Sequence, residues 1–556
     1  MKTYRDIEIL KINPDTANRV AGAVKRIGAE LARLRGVVDV RSGLKFVDGA
    51  VTEQPVLELS VLPGTDFEAA RAAASALVKA DGIEVAVVFA SPWDLKQFAQ
   101  KHWGKLTRDN APHLEGVLET ADTADAAVET LAKYQPPAEP LREVEDELTL
   151  ICHASPDAGF RLLKDFLTKT EERLTATMYE FTAKHILNAL ESGLASPRRL
   201  DLIMDGQAPE NIQMRADLEN KLTDRCKCLW AAVADTPDKT TEGFFPTAYH
   251  IKVSVRDGKD TWLSSGNWKD SNQPEIDPIL GPLPPGFNGN AFHRKQNRDW
   301  HVIAKGQSLA QQFKTFIEFD IDQTTPLQTE GIQEIDRLDL ELFVPAEDEM
   351  GVQENVEFFR EETFQCQKIM PLLTPDNYAD FVLPIVQHAK KKLYFQNQSL
   401  SASLQSPRYA ELFDALKTKV NDPDIDARII VRGDFSPHDI ITALAKAGFD
   451  MSRVKLQKGC HTKGILVDGE VTVVGSHNWT GQGTTQNRDA SLIIPSAEVT
   501  EYYEKLFIHD WEKRTMNQLP ADAEMARLAF PGEPTPPGMV RVSWREVMGD
   551  VPPDWI

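Results

Sequence analysis

The chain has 556 residues, too many for one ordinary hydrophobic core, and three or four domains are expected. An apolar fraction of 42% beside 26% charged residues is that of a soluble globular protein. The formal net charge of −22 excludes a surface coated in basic groups for nonspecific DNA binding, although it leaves room for a local basic cleft.

The opening stretch, MKTYRDIEILKINPD, lacks the unbroken apolar core of a signal peptide. Val20, Val24, Ile27, Leu31 and Leu34 then recur at helical spacing after the start signal Asn13-Pro14-Asp15. Two strand-like runs follow, VVDVRSGLKFV and PVLELSVLP, joined through Asp48-Gly49. A helix near DFEAARAAASALVKA and a strand, IEVAVVFA, come next. Residues 1–134 are therefore expected to form a small α+β domain without a catalytic constellation, open to a protein partner or to self-association. Residues 135–147, QPPAEPLREVEDE, have the proline-rich, acidic composition of a linker.

Beyond the linker one plan runs twice. Ser155-Pro156-Asp157 precedes a helical pattern and the strand LTATMYEF from Leu174. Thr374-Pro375-Asp376 precedes another helical pattern and the strand LYFQNQSL from Leu393, 219 positions later in both comparisons. After a further helix, each copy has a strand ending in glycine, LDLIMDG and ARIIVRG. A repeat of this length implies two similar α/β domains, each a sheet covered by helices, over residues 148–324 and 371–515. An acidic connector, 325–370, would join them, and the Pro-rich tail, 516–556, is expected to wrap over the surface. No run of about 18 apolar residues occurs, so no transmembrane helix or stable membrane insertion is expected. Five cysteines, few and odd in number, suit reduced thiols in a cytoplasm. Cys226-Lys227-Cys228 has no second pair at zinc-ligand spacing, so these are expected to be spectator thiols rather than metal ligands.

The repeat carries a motif in each copy, HIKVSVRDGKDTWLSSGNW from His250 and HTKGILVDGEVTVVGSHNW from His461. His250, Lys252 and Asp257 keep the spacing of His461, Lys463 and Asp468. Ser265-Gly266-Asn267 likewise matches Ser476-His477-Asn478. A further tetrad, QNRD, ends at Asp299 and again at Asp489. Alternation makes each motif a strand, on which His and Lys, two apart, share the face toward a cleft. Asp257 and Asp468, seven positions from the histidines, face away and are expected to be structural. Trp268 and Trp479 are expected to pack. An incidental polar hairpin is the bland alternative, and duplication in register argues against it.

HxKxxxxD followed by Ser-x-Asn, present twice, resembles the phospholipase D superfamily, and the resemblance covers roughly residues 148 to 515. It implies two α/β/α sandwich domains packed pseudo-symmetrically, both motifs meeting at one site, and a metal-independent, cofactor-free phosphodiesterase. In such a site Lys252, Lys463, Asn267 and Asn478 stabilise the oxyanionic transition state, and Ser265 and Ser476 bind substrate or brace these side chains. By similarity to two-motif members, His250 is the nucleophile that becomes a phosphohistidine and His461 the acid/base. The family also places an acidic residue downstream of Ser-x-Asn, which makes Asp299 and Asp489 the candidates to orient the imidazoles.

The first copy carries an insertion, SNQPEIDPILGPLPPGFNGNAFHRKQ, which would either line the cleft entrance or form a passive excursion. His153 is expected to be a capping or core histidine rather than a cleft residue. Arg298 and Arg488 would neutralise phosphate or bridge to acidic neighbours. For substrate, the absence of lipid-seeking amphipathic or polybasic segments favours nucleic acid. The pattern TATMYEFTAKHILNAL also resembles bacterial nuclease-like members. Phospholipid is the alternative substrate, and a phosphate-binding scaffold without turnover is the alternative of another class.

Overall fold

The computed structural model describes residues 9–34, 36–47, 49–61, 65–90, 94, 133–206, 210–234, 243–327, 341–345, 356–433, 437–516, 527–529, 534–536 and 539–543. Asp48 of the expected turn, much of the expected connector and most of the expected tail lie outside the described residues.

Asn13 caps α1 (Pro14–Leu31) by accepting from the Thr16 N–H, with Pro14 in the first turn where its missing N–H costs nothing. β1 (Val37–Val47) and β2 (Ala50–Val61) pair antiparallel, α2 (Phe67–Val78) returns over them, and β3 (Val85–Phe89) adds parallel to β2. Val20, Leu31, Leu57, Leu59 and Val78 bury the two helices on this sheet. Leu44 and Val51 instead join the core of the second repeat, where Arg41 pairs with Asp439 at 2.7 Å.

The first repeat runs β4 (Val144–Ser155), α3 (Gly159–Thr168), β5 (Arg173–Met178), α4 (Lys184–Gly193), β6 (Arg199–Asp205), α5 (Glu210–Leu222) and β7 (Cys226–Ala231). The hairpin β8 (Val253–Arg256) and β9 (Asp260–Ser264) follows, then α6 (Gly289–Lys295), β10 (Asp299–Lys305) and α7 (Gln307–Thr324). After β11 (Glu341–Pro345) the second repeat begins with β12 (Glu362–Leu373), α8 (Tyr378–Gln387), β13 (Lys392–Asn397), α9 (Pro407–Val420), β14 (Asp426–Arg432), α10 (Pro437–Lys446) and β15 (Val454–Gln457). It ends with β16 (Lys463–Val467), β17 (Val471–Gly475), α11 (Gly481–Thr485), β18 (Ala490–Ile494) and α12 (Ala497–His509), and the tail adds β19 (Arg527–Ala529) and β20 (Met539–Ser543).

The two repeats form one 14-stranded sheet in the order β7-β6-β5-β8-β9-β10-β4-β12-β18-β17-β16-β13-β14-β15. Reading outward from the central β4–β12 pair, each half lists equivalent strands, which places the pseudo-two-fold between them. Inner strands such as LDLIMD and ARIIV are near-continuous apolar runs because helices cover both faces. α3 and α4 close one outer core, and α8 to α10 the other. On the opposite face Phe313, Phe316 and Ile317 of α7 share a core with Tyr502, Tyr503 and Phe507 of α12, joining the halves. The architecture is thus the paired α/β/α sandwich that the resemblance implies.

The strands depart from the expected boundaries in three places. β4 starts at Val144, inside the expected linker, and β12 starts at Glu362, inside the expected connector, because the central pairing extends both strands. The connector also supplies β11, which pairs with β19 and β20 of the tail into a separate three-stranded sheet.

Candidate active site

The ordered strands begin at Val253 and Lys463, so the two histidines sit in the extended segments just before them rather than within the strands expected. Each segment bridges to the QNRD tetrad of the other half, Tyr249 beside Arg488 and Cys460 beside Arg298. The Arg488 N–H donates to the Ala248 carbonyl at 2.8 Å and the Arg298 N–H to the Gly459 carbonyl at 2.8 Å. Behind the motifs, Asp257 and Asp468 occupy left-handed turns, with φ of 54° and 55°. Asp257 accepts the N–H groups of Glu171, Glu172 and Arg173, and Asp468 those of Lys390, Lys391 and Lys392. These acids tie the motif hairpins to the start of β5 and β13, a structural role at a distance from the cleft. Trp268 and Trp479 are fully buried in the outer cores.

The bridges cross the histidine partners between halves. His250 Nδ1 lies 2.8 Å from Asp489, and His461 Nδ1 lies 2.7 Å from Asp299. With Nδ1–H donated to a carboxylate, the lone pair of each neutral imidazole is on Nε2. Pairing and hydrogen bonding with the crossed histidines, with the nearby lysines, hold both carboxylates below the usual range despite their burial. Burial and the adjacent Lys252 push His250 down to about 4, with Lys463 of the other half adding to the push. Burial and Lys463 hold His461 well below its ordinary value. Both histidines are therefore neutral at pH 7.

The lysines are stripped of water. Lys252 donates to the His250 carbonyl and lies 5.2 Å from the centre of the Tyr179 ring. Lys463 Nζ reaches Gln398 Oε1 at 2.8 Å, the His461 carbonyl at 2.8 Å and, across the halves, the Ser265 carbonyl at 3.2 Å. Burial lowers Lys252 well below its usual value and Lys463 to about 7. An arriving phosphate anion would reverse that loss, so the pair is poised to take up charge when ligand binds.

Ser265 and Ser476 are fully buried, and their hydroxyls donate to Asp299 and Asp489. Of the two expected roles, binding substrate or bracing side chains, these hydrogen bonds fit bracing, here of the aspartates. Asn267 and Asn478 are nearly buried, each with its amide oxygen unpartnered among the described residues. Arg298 and Arg488 do not face the cleft. Arg298 pairs with Asp157 at 2.9 Å and Asp510 at 3.0 Å, and Arg488 with Asp320 at 2.7 Å and Asp376 at 2.6 Å. Each arginine thus takes one carboxylate from its own repeat and one from the other. His153 is a core residue, its ring tilted against His301 with centroids 4.8 Å apart.

Sequence reasoning missed three residues that the geometry brings in. Gln398 holds Lys463, Glu180 lies 3.5 Å from the Asn267 amide nitrogen and pairs with Lys269, and Asn272 donates to Asp299 at 2.8 Å. The spacing of the repeat marks the positions of the first two but not their residue types, which differ between the copies. Tyr179 and Glu180 precede the bridge Phe181–Trp268 as Gln398 and Ser399 precede Leu400–Trp479. Asn272 opens the insertion, which is therefore neither a lining nor a passive excursion at this end. Further along, Asp277 is tied to Arg161 of α3 at 2.7 Å, and Leu280 and Leu283 are exposed.

Residues 382–511, inside the second half, match the family described as "Cardiolipin synthase, PLD-like domain". The mitochondrial cardiolipin hydrolase of Xenopus laevis is 29% identical over 154 residues, which is 26% of this chain and 71% of that protein. Among solved structures, phosphatidylserine synthase of Haemophilus influenzae Rd KW20 overlays with a TM-score of 0.41 at 10% identity, covering 66% of this chain and 87% of that one. NucT from Helicobacter pylori overlays with a TM-score of 0.24 at 14% identity, covering 32% of this chain and 97% of that one. Overlays this loose add nothing to the argument, which rests on the sequence matches and on the doubled His, Lys and Asn set itself. On those grounds residues 382–511 carry a phospholipase D-like domain, and the matches support a phosphodiesterase of the phospholipase D type.

Proposed function

We propose that the protein hydrolyses a phosphodiester without a metal, through a phosphohistidine. The crossed His–Asp pairs carry this reading, because they present two neutral imidazoles, each with a fixed tautomer, beside two lysines that regain charge when phosphate arrives. One Nε2 attacks phosphorus. The other imidazole, protonated once the substrate's negative charge is in place, gives its proton to the leaving oxygen. It then removes a proton from the water that attacks the phosphoimidazole, and the P–N bond breaks to restore the first histidine. Lys252 and Lys463 stabilise the non-bridging oxygens, with the asparagine amides as further donors. The positive charge that a metal would bring is supplied by these side chains.

Nucleic acid is the substrate we put first, on the likeness of TATMYEFTAKHILNAL to nuclease-like members, and the five free thiols support a cytoplasmic setting. The name of the Xenopus laevis relative favours a second reading, a phospholipid diester such as cardiolipin. Incubating the protein in excess EDTA with labelled single-stranded DNA, duplex DNA, RNA and cardiolipin vesicles separates the two. Cleavage of the polynucleotides alone is expected, and cleavage of the vesicles alone would promote the lipid reading. His250→Ala and His461→Ala should each abolish turnover, and activity lost in EDTA but restored by a divalent cation would sink the histidine mechanism.

A further inference from the structure

The two halves supply the same catalytic types, but they do not hold their aspartates alike. Asp299 is held through both oxygens: Oδ1 accepts from His461 and from Ser265 at 2.8 Å, and Oδ2 accepts from Asn272 Nδ2 at 2.8 Å. Asp489 Oδ1 accepts from His250 and Ser476, but its fully buried Oδ2 has no partner among the described residues.

The sequence builds this difference in on both sides. Asn272 stands five residues beyond Asn267, and the fifth residue beyond Asn478 is Gly483, which has no side chain to donate. A Cβ at Gly483 would meet the Asn478 carbonyl at 2.3 Å, so the second half has no room for a counterpart. Conversely, Gly266 stands where the second half has His477, and a Cβ there would meet the Asp299 carboxylate at 2.6 Å. Gly266 thus leaves the space in which Asp299 reaches Asn272. The donor itself is fixed, since Asn272 is 1% exposed and its N–H donates to the Lys269 carbonyl at 3.2 Å.

We propose that Asn272 is a positioning residue that makes the two histidines unequal: by sharing the charge of Asp299 it weakens that carboxylate's hold on the His461 imidazolium, while Asp489 keeps its full charge for His250. The inference rests on the proposed histidine mechanism only for its consequence. A nucleophile and an acid must differ in proton affinity at one pH, and a symmetric pair would give each histidine the same affinity. In this arrangement His250 holds a proton more firmly than His461, which favours His461 as the neutral nucleophile and His250 as the acid, the reverse of the assignment by similarity. The groups facing His461 are Asp299, Lys463 and Arg432; those facing His250 are Asp489, Lys252, Lys463, His477 and the Tyr179 ring edge. Asp299 is also faced by His301. Among the described residues, only Asn272 distinguishes the two aspartates by a direct side-chain hydrogen bond.

The test is an NMR titration of the full chain labelled with 13C at histidine Cε1, with His461 and His250 assigned from His461→Gln and His250→Gln. In Asn272→Ala the His461 midpoint should rise by about one pH unit, a tenfold gain in proton affinity, while His250 stays within a few tenths. If Asn272→Ala does not fold, Asn272→Ser, which keeps a hydroxyl donor, should give a smaller rise in the same resonance. Equal shifts of both histidines, or no shift of His461, would overturn the proposal and leave Asn272 a structural residue. Hydrolysis of bis(4-nitrophenyl) phosphate is followed in parallel, and the wild-type protein alone tests the function. If it turns over no diester, the proposed function fails while the midpoints still decide the role of Asn272. Given turnover, the acidic limb of kcat/KM moving up in Asn272→Ala marks His461 as the group needed neutral, as proposed. Movement of the alkaline limb instead would overturn the reversal of roles.

Discussion

Binding of a tetrahedral anion should draw protons into the cleft. Burial holds Lys463 at about 7, so at pH 8 only about a tenth of it is charged, whereas at pH 6 about nine-tenths is. A dianion beside the ammonium favours its charged form and moves the group back toward its ordinary value of about 10.4. Lys463 alone should therefore take up about 0.9 proton per anion bound at pH 8 and about 0.1 at pH 6. Lys252, also held well below its usual value by burial, adds up to one more and the imidazole that the anion protonates up to another, so the expected uptake at pH 8 lies between about one and three protons. The assay is isothermal titration calorimetry with sulfate, a tetrahedral dianion that does not titrate in this range. It is run in buffers of different ionisation enthalpy, and the slope of apparent against buffer enthalpy gives the proton count. Lys463→Arg, which cannot lose its proton, should lower the count at pH 8 by about one. An uptake near zero at pH 8, or one that does not change between pH 6 and 8, would refute the reasoning that the lysines lie stripped of charge until ligand arrives.

Acid should unfold the chain in a window set by its buried histidines. Burial lowers His250 and His301 to about 4 and His477 to about 3, against about 6.5 in the unfolded chain. The folded state then binds fewer protons than the unfolded one between these values, so stability falls as pH drops from 6.5 toward 4, by about 3 kcal/mol per histidine. Asp299 and Asp489 act the other way in origin: their folded values are depressed, so their contribution persists above about pH 4 and is lost only below it. Circular dichroism should show unfolding before pH 4, and a chain intact at pH 3 would contradict this. The crossed arginine ties make the last prediction. Asp510→Ala leaves the buried Arg298 with Asp157 as its remaining carboxylate among the described residues and should cost about 3–5 kcal/mol in urea unfolding. A loss under about 1 kcal/mol would show that Asp510 does not carry the tie.

What the sequence disclosed was whatever the repeat wrote twice. The HxK segments, the Asp turns and the QNRD tetrads were legible because each copy checks the other at a fixed offset. Partner assignment was not legible. The crossing of His250 to Asp489 depends on which strand edges meet, and the parallel bridges that decide it join residues more than 150 positions apart. Roles stayed open where one residue type serves two physical purposes. Ser265 and Ser476 carry hydroxyls suited to either a substrate or a carboxylate, and only their burial shows which. The arginines are likewise open to phosphate or to acidic neighbours until Asp320 and Asp510, in helical patterns far along the chain, are seen to reach them. Asn272 and Glu180 escaped for the opposite reason: neither recurs in the other copy, so the repeat could not vouch for them.

Those unrepeated residues show what duplication within one chain makes possible. A phosphodiester needs one imidazole to attack and another to donate a proton, yet two identical subunits would offer two identical histidines and leave the choice to the substrate. With both halves in one chain, each can be altered alone. Here the first half carries the additions: Gly266 opens space, Asn272 fills it and binds Asp299, and Glu180 engages Asn267 where the second half has Ser399. Because the histidine–aspartate pairs are crossed, a change in the first half is felt by His461, which belongs to the second. The same crossing in the arginine ties makes the relative placement of the halves a condition of both sites at once, so the asymmetry can be tuned without separating them. An insertion that begins as a loop beyond the first motif thereby acts on the histidine of the other.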